Sequence, residues 1–220
     1  MHCVVTAGPT FEPLDEVRRL TNFSTGRLGA DLAAFLESRG HKVTLLIGQQ
    51  ATYPGERKAH RVETFSTTAN LRERLLALSK DPVGALFHAA AVSDFAFGKI
   101  WNRAATGELA LAKSGKISTR EGTLLAELVP TPKIIVELRG WYPEAVLVGW
   151  KYEVEGGRES VLRLAERQLT ECRTDACVVN GPAYGKAFGL MRKGGGLEPL
   201  KDGAALYEAL EGLVRGQGGR

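Results

Sequence analysis

Residues 21–29 are Thr-Asn-Phe-Ser-Thr-Gly-Arg-Leu-Gly, and they run directly into apolar side chains at helical spacing, Leu28, Leu32, Phe35 and Leu36. Hydroxyl and amide side chains before a glycine and an apolar series are typical of a helix N-terminus, where main-chain N–H groups lack partners and the helix dipole is positive. Such a point favours a bound anion. The alternative is an ordinary capped helix, with Ser24 as the N-cap and glycines that allow close packing on a strand.

On both sides of this stretch, short apolar or β-branched runs alternate with helical patterns. The predicted strands are residues 2–7, 42–47, 61–65, 85–92, 123–129, 145–150 and 175–180. This order predicts an α/β fold with a Rossmann-like, mostly parallel sheet and helices on both faces. Two apolar runs separated by three glycines, over about residues 186–201, predict an antiparallel hairpin at one edge.

A chain of 220 residues fits one such sheet, so we expect a single domain over residues 1–220. An unusually long connection, with two prolines and several acidic residues, separates the first strand from the first helix. From residue 93 to about 122 no period is present, and residues 95–122 are predicted to be either a mobile flap or an arm that pairs with another subunit. Lys99, Lys113 and Lys116 in this segment are either phosphate ligands or solvated surface charges.

Charge and cysteine usage exclude several classes of protein. Lys and Arg number 29 against 25 Asp and Glu, a net charge of +4 without a basic run, which fits small anionic ligands and does not favour nucleic acid. Cys3, Cys172 and Cys177 lack metal-ligand spacing, so reduced thiols are expected. Because no signal segment and no apolar run of about 18 residues is present, we expect a soluble, cytoplasmic protein without membrane contact.

A dinucleotide oxidoreductase is the first candidate for such a sheet, and two positions argue against it. That site needs G-x-G-x-x-G after the first strand and an acidic residue near the end of the second strand. This chain has Gly8-Pro9-Thr10 and Gly48-Gln49-Gln50 there, and it lacks a P-loop and a serine elbow. Three alanines, residues 89–91, lie at the end of the predicted strand over residues 85–92; they either admit a flat group such as a base or pack tightly on a helix.

An ordered series of short motifs covers most of the chain. The motifs are residues 5–10, 12–15, 17–18, 22–27 and 29, then 89–95, 115–117, 127–132, 148–153 and 178–180. In this order they resemble phosphopantothenoylcysteine synthetase, the ligase of coenzyme A biosynthesis that in many bacteria is fused behind a flavin-dependent decarboxylase. The resemblance spans residue 4 to about residue 200. Since no decarboxylase precedes Met1, the expected form is a free-standing synthetase.

The resemblance implies a ligase that joins 4'-phosphopantothenate and cysteine in two steps. The carboxylate attacks the α-phosphate of CTP or ATP, which releases pyrophosphate and leaves an acyl-nucleotide; the amine of cysteine then displaces the nucleoside monophosphate. Mg²⁺ is the implied cofactor, bound mainly through phosphates, so no protein metal site is expected. A homodimer is also implied. The alternative is a non-catalytic nucleotide-binding module or partner subunit of the same fold.

The resemblance also implies roles for individual residues. Asn22 corresponds to the asparagine that holds the acyl-nucleotide, and Lys116 to a flap lysine that neutralises the triphosphate and closes over the site. Both are predicted catalytic residues, and Asn22 and Ala91 are predicted to bind the substrate. The predicted nucleotide-binding residues are Gly8, Ser24, Thr25, Gly26, Arg27, His88, Ala89, Ala90, Asp94, Pro132, Lys133, Ile134, Ile135 and Trp150.

Several departures from the family pattern leave the nucleotide open. Gln168 and Cys172 stand where CTP-dependent bacterial members commonly carry two lysines, and Lys133 stands where an aspartate is usual. Trp150 replaces a phenylalanine and can still stack on a base. Residues 150–153 are closer to the ATP-dependent eukaryotic enzymes. The resemblance therefore implies a nucleoside triphosphate without deciding between CTP and ATP.

Overall fold

The central sheet has eight strands among the residues that the computed structural model describes, which are 1–112, 115–117 and 122–216. Its strands are β1 (His2–Ala7), β4 (Lys42–Gly48), β5 (Arg61–Phe65), β6 (Ala85–His88), β10 (Val146–Tyr152), β11 (Ala176–Asn180), β12 (Phe188–Arg192) and β13 (Leu197–Leu200). Their order across the sheet is β13-β12-β11-β10-β6-β1-β4-β5.

Six neighbouring strands, from β11 to β5, run parallel, and the last two are antiparallel. In the middle of the sheet β1 pairs with β4 on one side and with β6 on the other. At the edge, β12 pairs antiparallel with both β11 and β13. The predicted mostly parallel sheet with an antiparallel edge hairpin is therefore confirmed.

Five helices cover the two faces of the sheet in the described chain. They are α1 (Arg27–Ser38), α2 (Thr68–Leu78), α3 (Ile134–Trp141), α4 (Arg158–Glu171) and α5 (Gly203–Arg215). The apolar stripes of α1 and α5 pack in one core cluster, and those of α2, α3 and α4 pack in clusters on the opposite face. None of the described helices has the length and apolar character needed to cross a membrane.

Strand β1 shows why the central strands are continuous apolar runs. Its residues from Cys3 to Val5 are fully buried, with Cys3 and Val5 in the core beneath α1 and Val4 in the core beneath α2. A strand that is buried on both faces cannot alternate apolar and polar side chains. This pattern distinguishes a covered parallel sheet from a half-solvated antiparallel one.

Two connections contain small antiparallel sheets, of which the sequence analysis predicted only the strand over residues 123–129. Strands β2 (Phe11–Pro13) and β3 (Arg19–Thr21) form a hairpin between β1 and α1. Strands β7 (Phe95–Arg103), β8 (Leu109–Leu111) and β9 (Thr123–Pro130) form a three-stranded sheet, called the arm below. The expectation of an irregular segment over residues 93–122 was therefore wrong where β7 and β8 lie; Lys113 lies outside the described residues.

Strands β7 and β8 of the arm were not predicted, because most side chains of the arm are exposed. Leu109, Leu111, Leu125 and Leu128 are 52%, 49%, 38% and 50% exposed, respectively. When neither face of a strand is buried, polar and apolar residues need not alternate, and the usual period-2 signal is weak. The arm is stabilised by the main-chain pairing of β7 with β8 and β9.

Two predicted boundaries were also wrong near the carboxyl edge of the sheet. The strand expected over residues 85–92 ends at His88, because the following alanines turn toward the loop after β1. There the N–H of Ala91 donates to the carbonyl of Gly8 at 3.0 Å. The strand expected over residues 123–129 continues to Pro130, and α3 begins at Ile134.

Candidate functional site

The candidate site lies where the chain direction across the sheet reverses. From β1 the chain passes through α1 on one face to reach β4, whereas from β6 it passes through the arm and α3 on the other face to reach β10. In open parallel sheets, a crevice forms at such a switch point, outside the carboxyl ends of the strands. Here the two loops are joined directly, because Thr10 N–H donates to Ala91 O at 3.1 Å and Ala91 N–H donates to Gly8 O.

A cavity of about 620 Å³ opens beside this crevice on the α1 and α5 side. Its volume is within the usual range for small-molecule sites. Six of the predicted nucleotide-binding residues line it: Gly8, Ser24, Thr25, Gly26, Arg27 and Ala89. The sequence analysis thus identified one wall of this cavity.

The N-terminus of α1 forms that wall, and its cap is Gly26 rather than Ser24. Gly26 has φ of 83° and supplies no capping side chain, and the first turn carries no acidic residue. A Cβ on Gly26 would lie 3.0 Å from Ala51 Cβ and 3.3 Å from Gly8 Cα, so glycine is needed for both conformation and space. The positive end of the α1 dipole therefore faces the cavity without a side-chain partner from its N-cap.

Arg27, at the first position of α1, is held by two neighbours. Its Nε lies 3.4 Å from Asp31 Oδ2, and its guanidinium lies 6.0 Å from the centre of the Tyr53 ring. Tyr53 in turn donates its hydroxyl to Asp31 Oδ1 at 2.7 Å, a bond that raises the pKa of Tyr53. Arg27 remains exposed, so this cation is available to an anion in the cavity.

The opposite wall of the cavity comes from the C-terminal part of the chain, which the sequence analysis did not assign to the site. It consists of Phe188, Asp202, Gly203, Ala204 and Tyr207. Asp202 is the N-cap of α5 and accepts the N–H of Ala205 at 2.8 Å. An aspartate before an apolar helical series is a recognisable helix start. Nothing in a sequence, however, indicates that this start lies beside the first turn of α1.

Asn22 lies next to the crevice rather than in the lining of the cavity. It follows β3, its side chain is exposed, and its Nδ2 donates to Ala91 O at 3.1 Å. The predicted substrate-binding pair, Asn22 and Ala91, is therefore in direct contact. The carboxamide carbonyl of Asn22 is not used in this contact, so one end anchors the side chain and the other can face a ligand.

His88 is oriented away from the cavity, toward the face covered by α2 and α3. Its Nδ1 lies 3.0 Å from Thr6 Oγ1, which also accepts the N–H of Ala90 at 3.1 Å. Burial lowers the pKa of His88 to about 4, so the ring is neutral near pH 7. His88 and Ala90, both predicted to bind a nucleotide, are here parts of one buried polar network that supports the crevice.

Thr131 brings five further predicted residues to the same edge of the sheet. Its N–H donates to Asp94 O at 3.0 Å and its hydroxyl to Ser93 O at 2.5 Å. This brings the exposed side chains of Asp94, Pro132 and Lys133 together at the start of α3. Ile134 is 1% exposed and belongs to the core, and Ile135 packs against the same cluster, so a ligand can reach their main chain rather than their side chains.

Lys116 lies at the turn of the β2–β3 hairpin. Its neighbour Gly115 accepts the N–H of Glu16 at 2.9 Å, and Ile117 is bonded to Asp15 and Arg18. Asn22 follows the other end of β3, and four residues of extended strand span roughly 13 Å. The two predicted catalytic residues are therefore placed by one hairpin, Lys116 beside its turn and Asn22 after its second strand.

Trp150 lies on the cavity side of the sheet. Gln168 and Cys172, which stand where two lysines are common in the family, lie on the other side. Trp150 packs in the core cluster of α1 and α5 together with Phe188, and its indole nitrogen is buried without a hydrogen-bond partner. Gln168 is 7% exposed and its Nε2 donates to Cys177 Sγ at 3.2 Å, beneath α4. Cys172, also 7% exposed, is the C-cap of α4.

The cavity contains two carboxylates that are already engaged, those of Asp31 and Asp202. Across the described ranges, no group of three or more His, Cys, Asp or Glu side chains is arranged to hold a metal ion. The polar character of the site comes instead from two helix N-termini and one exposed arginine. Such a lining is suited to a ligand that carries phosphate groups.

The fold and the cavity define an α/β protein with a cavity, lined by two helix N-termini, at the carboxyl edge of an open, mostly parallel sheet. Residues 1–194 match the family described as DNA/pantothenate metabolism flavoprotein C-terminal domain, and the chain belongs to that family.

Proteins of similar sequence or fold support this family assignment. The chain is 35% identical over 186 residues to the coenzyme A biosynthesis bifunctional protein CoaBC of Thermococcus kodakarensis, a match that covers 84% of this chain and 42% of that protein. The chain thus spans less than half the length of this relative. Among solved structures, the DNA/pantothenate metabolism flavoprotein from Streptococcus pneumoniae has a TM-score of 0.86 at 24% identity, covering 99% of both chains. A Cab2 variant in complex with phosphopantothenate-cysteine has a TM-score of 0.72 at 20% identity, covering 98% of this chain and 85% of the other.

Proposed function

We propose that this chain is a phosphopantothenate–cysteine ligase, which forms an acyl-nucleotide from 4'-phosphopantothenate and a nucleoside triphosphate and then transfers the acyl group to cysteine. The observation that carries the proposal is the 35% identity to a protein named as bifunctional in coenzyme A biosynthesis, over 84% of this chain. The named ligand of the Cab2 complex, phosphopantothenate-cysteine, is the product of such a reaction and supports the same reading.

The charge distribution of the site suits the first step. Attack of a carboxylate on an α-phosphate brings two anions together, so the protein must supply positive potential where charge accumulates. The first turn of α1, the N-terminus of α5 and Arg27 surround the cavity with N–H groups and a cation. In this proposal they bind the phosphates, while Gly8 and Gly26 allow the main chain to approach them closely.

Asn22 is proposed to hold the acyl-nucleotide. Its Nδ2 is anchored on Ala91 O, so its carbonyl oxygen is directed by a fixed amide plane. Such an oxygen can accept the N–H or ammonium protons of the incoming cysteine amine, or the amide N–H of the pantothenate arm. A mixed anhydride is labile in water, so orientation of the amine for direct attack protects the intermediate.

Lys116 is proposed to neutralise the triphosphate during acyl-nucleotide formation, and Asp94, Lys133 and Trp150 to bind the nucleoside. A carboxylate such as Asp94 accepts hydrogen bonds from ribose hydroxyls or base amino groups, and an indole stacks on a base. The cavity lining fits Mg²⁺ held mainly by phosphates, near the Asp31 and Asp202 carboxylates. When bound, this ion would supply part of the charge neutralisation on the triphosphate.

The proposed assembly is a cytoplasmic homodimer, in which each chain contacts the other through the arm. The four exposed leucines of β8 and β9 support this, because several large apolar side chains are costly to leave in water. Light scattering on the purified chain tests the assembly. A mass of two chains is expected; a mass of one chain at micromolar concentration contradicts the dimer.

The reaction itself is tested by pyrophosphate release. The protein is incubated with 4'-phosphopantothenate, cysteine and Mg²⁺ and with CTP or ATP in separate assays, and omission of phosphopantothenate is the control. Release that depends on phosphopantothenate with at least one nucleotide is expected, and the ratio of the two rates gives the nucleotide preference. No release with either nucleotide leaves the alternative, a nucleotide-binding module without ligase activity.

A further inference from the structure

Asp15 lies in the turn of the β2–β3 hairpin, and its carboxylate is almost completely enclosed. The side chain is 1% exposed. Its Oδ1 accepts the main-chain N–H groups of Val17 at 3.0 Å and Arg18 at 2.7 Å. Aspartates commonly close turns in this way. These local contacts account for only one of the two carboxylate oxygens.

The second oxygen of Asp15 reaches a distant part of the chain. Oδ2 accepts Arg18 Nε at 3.0 Å and Nη2 at 2.5 Å, and it also accepts the main-chain N–H of Ile117 at 3.2 Å. Arg18 Nη2 donates in addition to Ile117 O at 2.7 Å. One ion pair therefore binds both main-chain polar groups of Ile117. Closing a turn requires none of these contacts.

A third main-chain bond ties the other side of the same short segment. Glu16 N–H donates to Gly115 O at 2.9 Å, so the residues before and after Lys116 are both bound to residues 15–18. The side chain of Ile117 is 5% exposed, which adds an apolar anchor. Lys116 lies between these two anchors, and it is exposed.

We propose that Asp15 is a positioning residue, which fixes the main chain at Ile117, next to Lys116, and so determines where the Lys116 ammonium group is presented. This inference rests on the proposed ligase function, in which Lys116 neutralises the triphosphate. A displacement of about 1 Å at a reacting centre can reduce a rate by roughly 100-fold. The Arg18 guanidinium holds the pKa of Asp15 well below its usual range, so the carboxylate stays ionised near neutral pH.

The substitution Asp15→Asn tests this role with little change in shape. In either orientation of the amide, one of the two oxygen acceptors becomes a donor, so either the turn contacts or the contacts with Arg18 and Ile117 are lost. Asp15→Ser is a second variant. Its single hydroxyl can still accept the Arg18 N–H and close the turn, but it cannot reach Ile117 as well.

The kinetic measurement is the exchange of labelled pyrophosphate into the nucleoside triphosphate, with phosphopantothenate present and cysteine absent. This exchange reports acyl-nucleotide formation alone. Both variants are expected to lower the exchange rate by about tenfold or more, while the KM for phosphopantothenate changes less than about twofold. In a Lys116→Ala background, Asp15→Asn is expected to cause no further reduction, because the residue it positions is gone.

Asp175 provides a matched control remote from the site. Its carboxylate joins Arg139 Nη2 at 2.6 Å and the main-chain N–H of Leu147 at 2.8 Å, a combination like that of Asp15. Asp175→Asn should lower stability without a specific effect on pyrophosphate exchange. An equal loss of exchange in Asp175→Asn, or additive losses for Asp15→Asn and Lys116→Ala, would overturn the proposal.

Hydrogen exchange of the wild-type protein supplies a readout that needs no variant. The Ile117 amide is expected to exchange at least about tenfold more slowly than an open amide, and to lose this protection in any folded Asp15 variant. An unprotected Ile117 amide in the wild type contradicts the inference even if neither variant folds. If the wild type releases no pyrophosphate, the ligase function fails while this measurement still decides whether the tether exists.

Discussion

The side chain of Asn22 donates a hydrogen bond to the main-chain oxygen of Ala91 at 3.1 Å, across 69 positions of sequence. This single contact joins the end of the β2–β3 hairpin to the loop after β6. The same Ala91 carbonyl also accepts the N–H of Thr10. Three loops thus meet at one carbonyl, at the point where the sheet reverses its winding direction, and the side chain of Asn22 is fixed there before any ligand binds.

Substitutions at Asn22 and Lys116 are expected to impair different half-reactions. Lys116→Ala removes a cation from the triphosphate, so pyrophosphate release in the absence of cysteine should fall by about 100-fold or more. Asn22→Ala should leave that first step closer to wild type and reduce amide formation instead, since it removes the group that holds the acyl-nucleotide. Rapid-quench assays that measure pyrophosphate and amide product separately distinguish the two.

Two results would contradict this division of roles. Wild-type turnover in both variants would show that neither residue acts in the reaction. Equal losses in both half-reactions for both variants would show that each side chain supports the fold of the site rather than one step. Circular dichroism and thermal unfolding of both proteins control for misfolding.

Gly29→Ala is expected to destabilise the protein, because α1 packs too closely on β1 to admit a methyl group. The added Cβ would lie 2.6 Å from Ala7 Cβ and 3.0 Å from Thr6 O. Overpacking of this kind costs about 1–3 kcal/mol. Urea unfolding measures the change in the free energy of unfolding.

Gly212→Ala is the matched control for this crowding. Gly212 lies within α5, and an added Cβ would meet no described atom within 4 Å outside its own helix turn. Alanine should therefore raise the stability by about 0.5–1 kcal/mol through its better helix propensity. If Gly29→Ala is as stable as the wild type, the inference that α1 packs too closely on β1 to admit a methyl group is contradicted.

Gln168→Ala is expected to lower stability without changing the relative use of CTP and ATP. The Gln168 amide is buried beneath α4 against Cys177 and Gly149, on the face of the sheet opposite the cavity. Loss of this side chain should cost about 1–3 kcal/mol. The measurements are urea unfolding and kcat/KM for each nucleotide, with the exposed Arg163→Ala as control. A changed nucleotide ratio would show that this position contacts the base.

His88 is expected to make the protein less stable as the pH falls from about 6.5 to about 4. In this range the unfolded state binds a proton that the buried ring, with a pKa of about 4, does not take up. Unfolding is therefore favoured at lower pH, by up to about 3 kcal/mol at about 1.4 kcal/mol per pKa unit. Urea unfolding at several pH values measures this slope. The half-buried His2, whose pKa is also lowered by partial burial, adds to it with the same sign.

The variant His88→Asn isolates this contribution. An asparagine amide can still bond to Thr6 Oγ1 but does not titrate in this range. The difference between the wild-type and variant slopes is the share of His88. An unchanged slope in His88→Asn would show that His88 is accessible to protons in the folded protein.

The sequence predicted the central sheet well because burial on both faces leaves a clear signal. The predicted strand over residues 2–7 agrees with β1, and the predicted edge hairpin agrees with β12 and β13. In the arm only β9 was predicted, over residues 123–129, and β7 and β8 were missed because the arm is largely exposed. The β2–β3 hairpin was missed because strands of three residues, interrupted by proline, are too short for a periodic pattern.

The candidate site likewise has a part that the sequence predicted and a part that it did not. The glycine-rich stretch before α1 identified one wall of the cavity, since the residue types of a helix start are local. Phe188 and Tyr207 on the opposite wall have no local signal, because nothing near them in sequence differs from an ordinary strand or helix. Asp15 was part of a motif, but its contact with Ile117 spans 102 positions and could not be predicted.

The sequence by itself determined the alternation of strands and helices, the helix start at residues 21–29 and the ordered motifs of one family. These depend on propensity and spacing, which act over a few residues. The tertiary structure alone decided that α5 completes the cavity, that Gln168 lies on the far face and that Lys116 is tethered to Asp15. Those relationships follow from the order of the strands and from which face each crossover takes, and packing of the whole chain sets both.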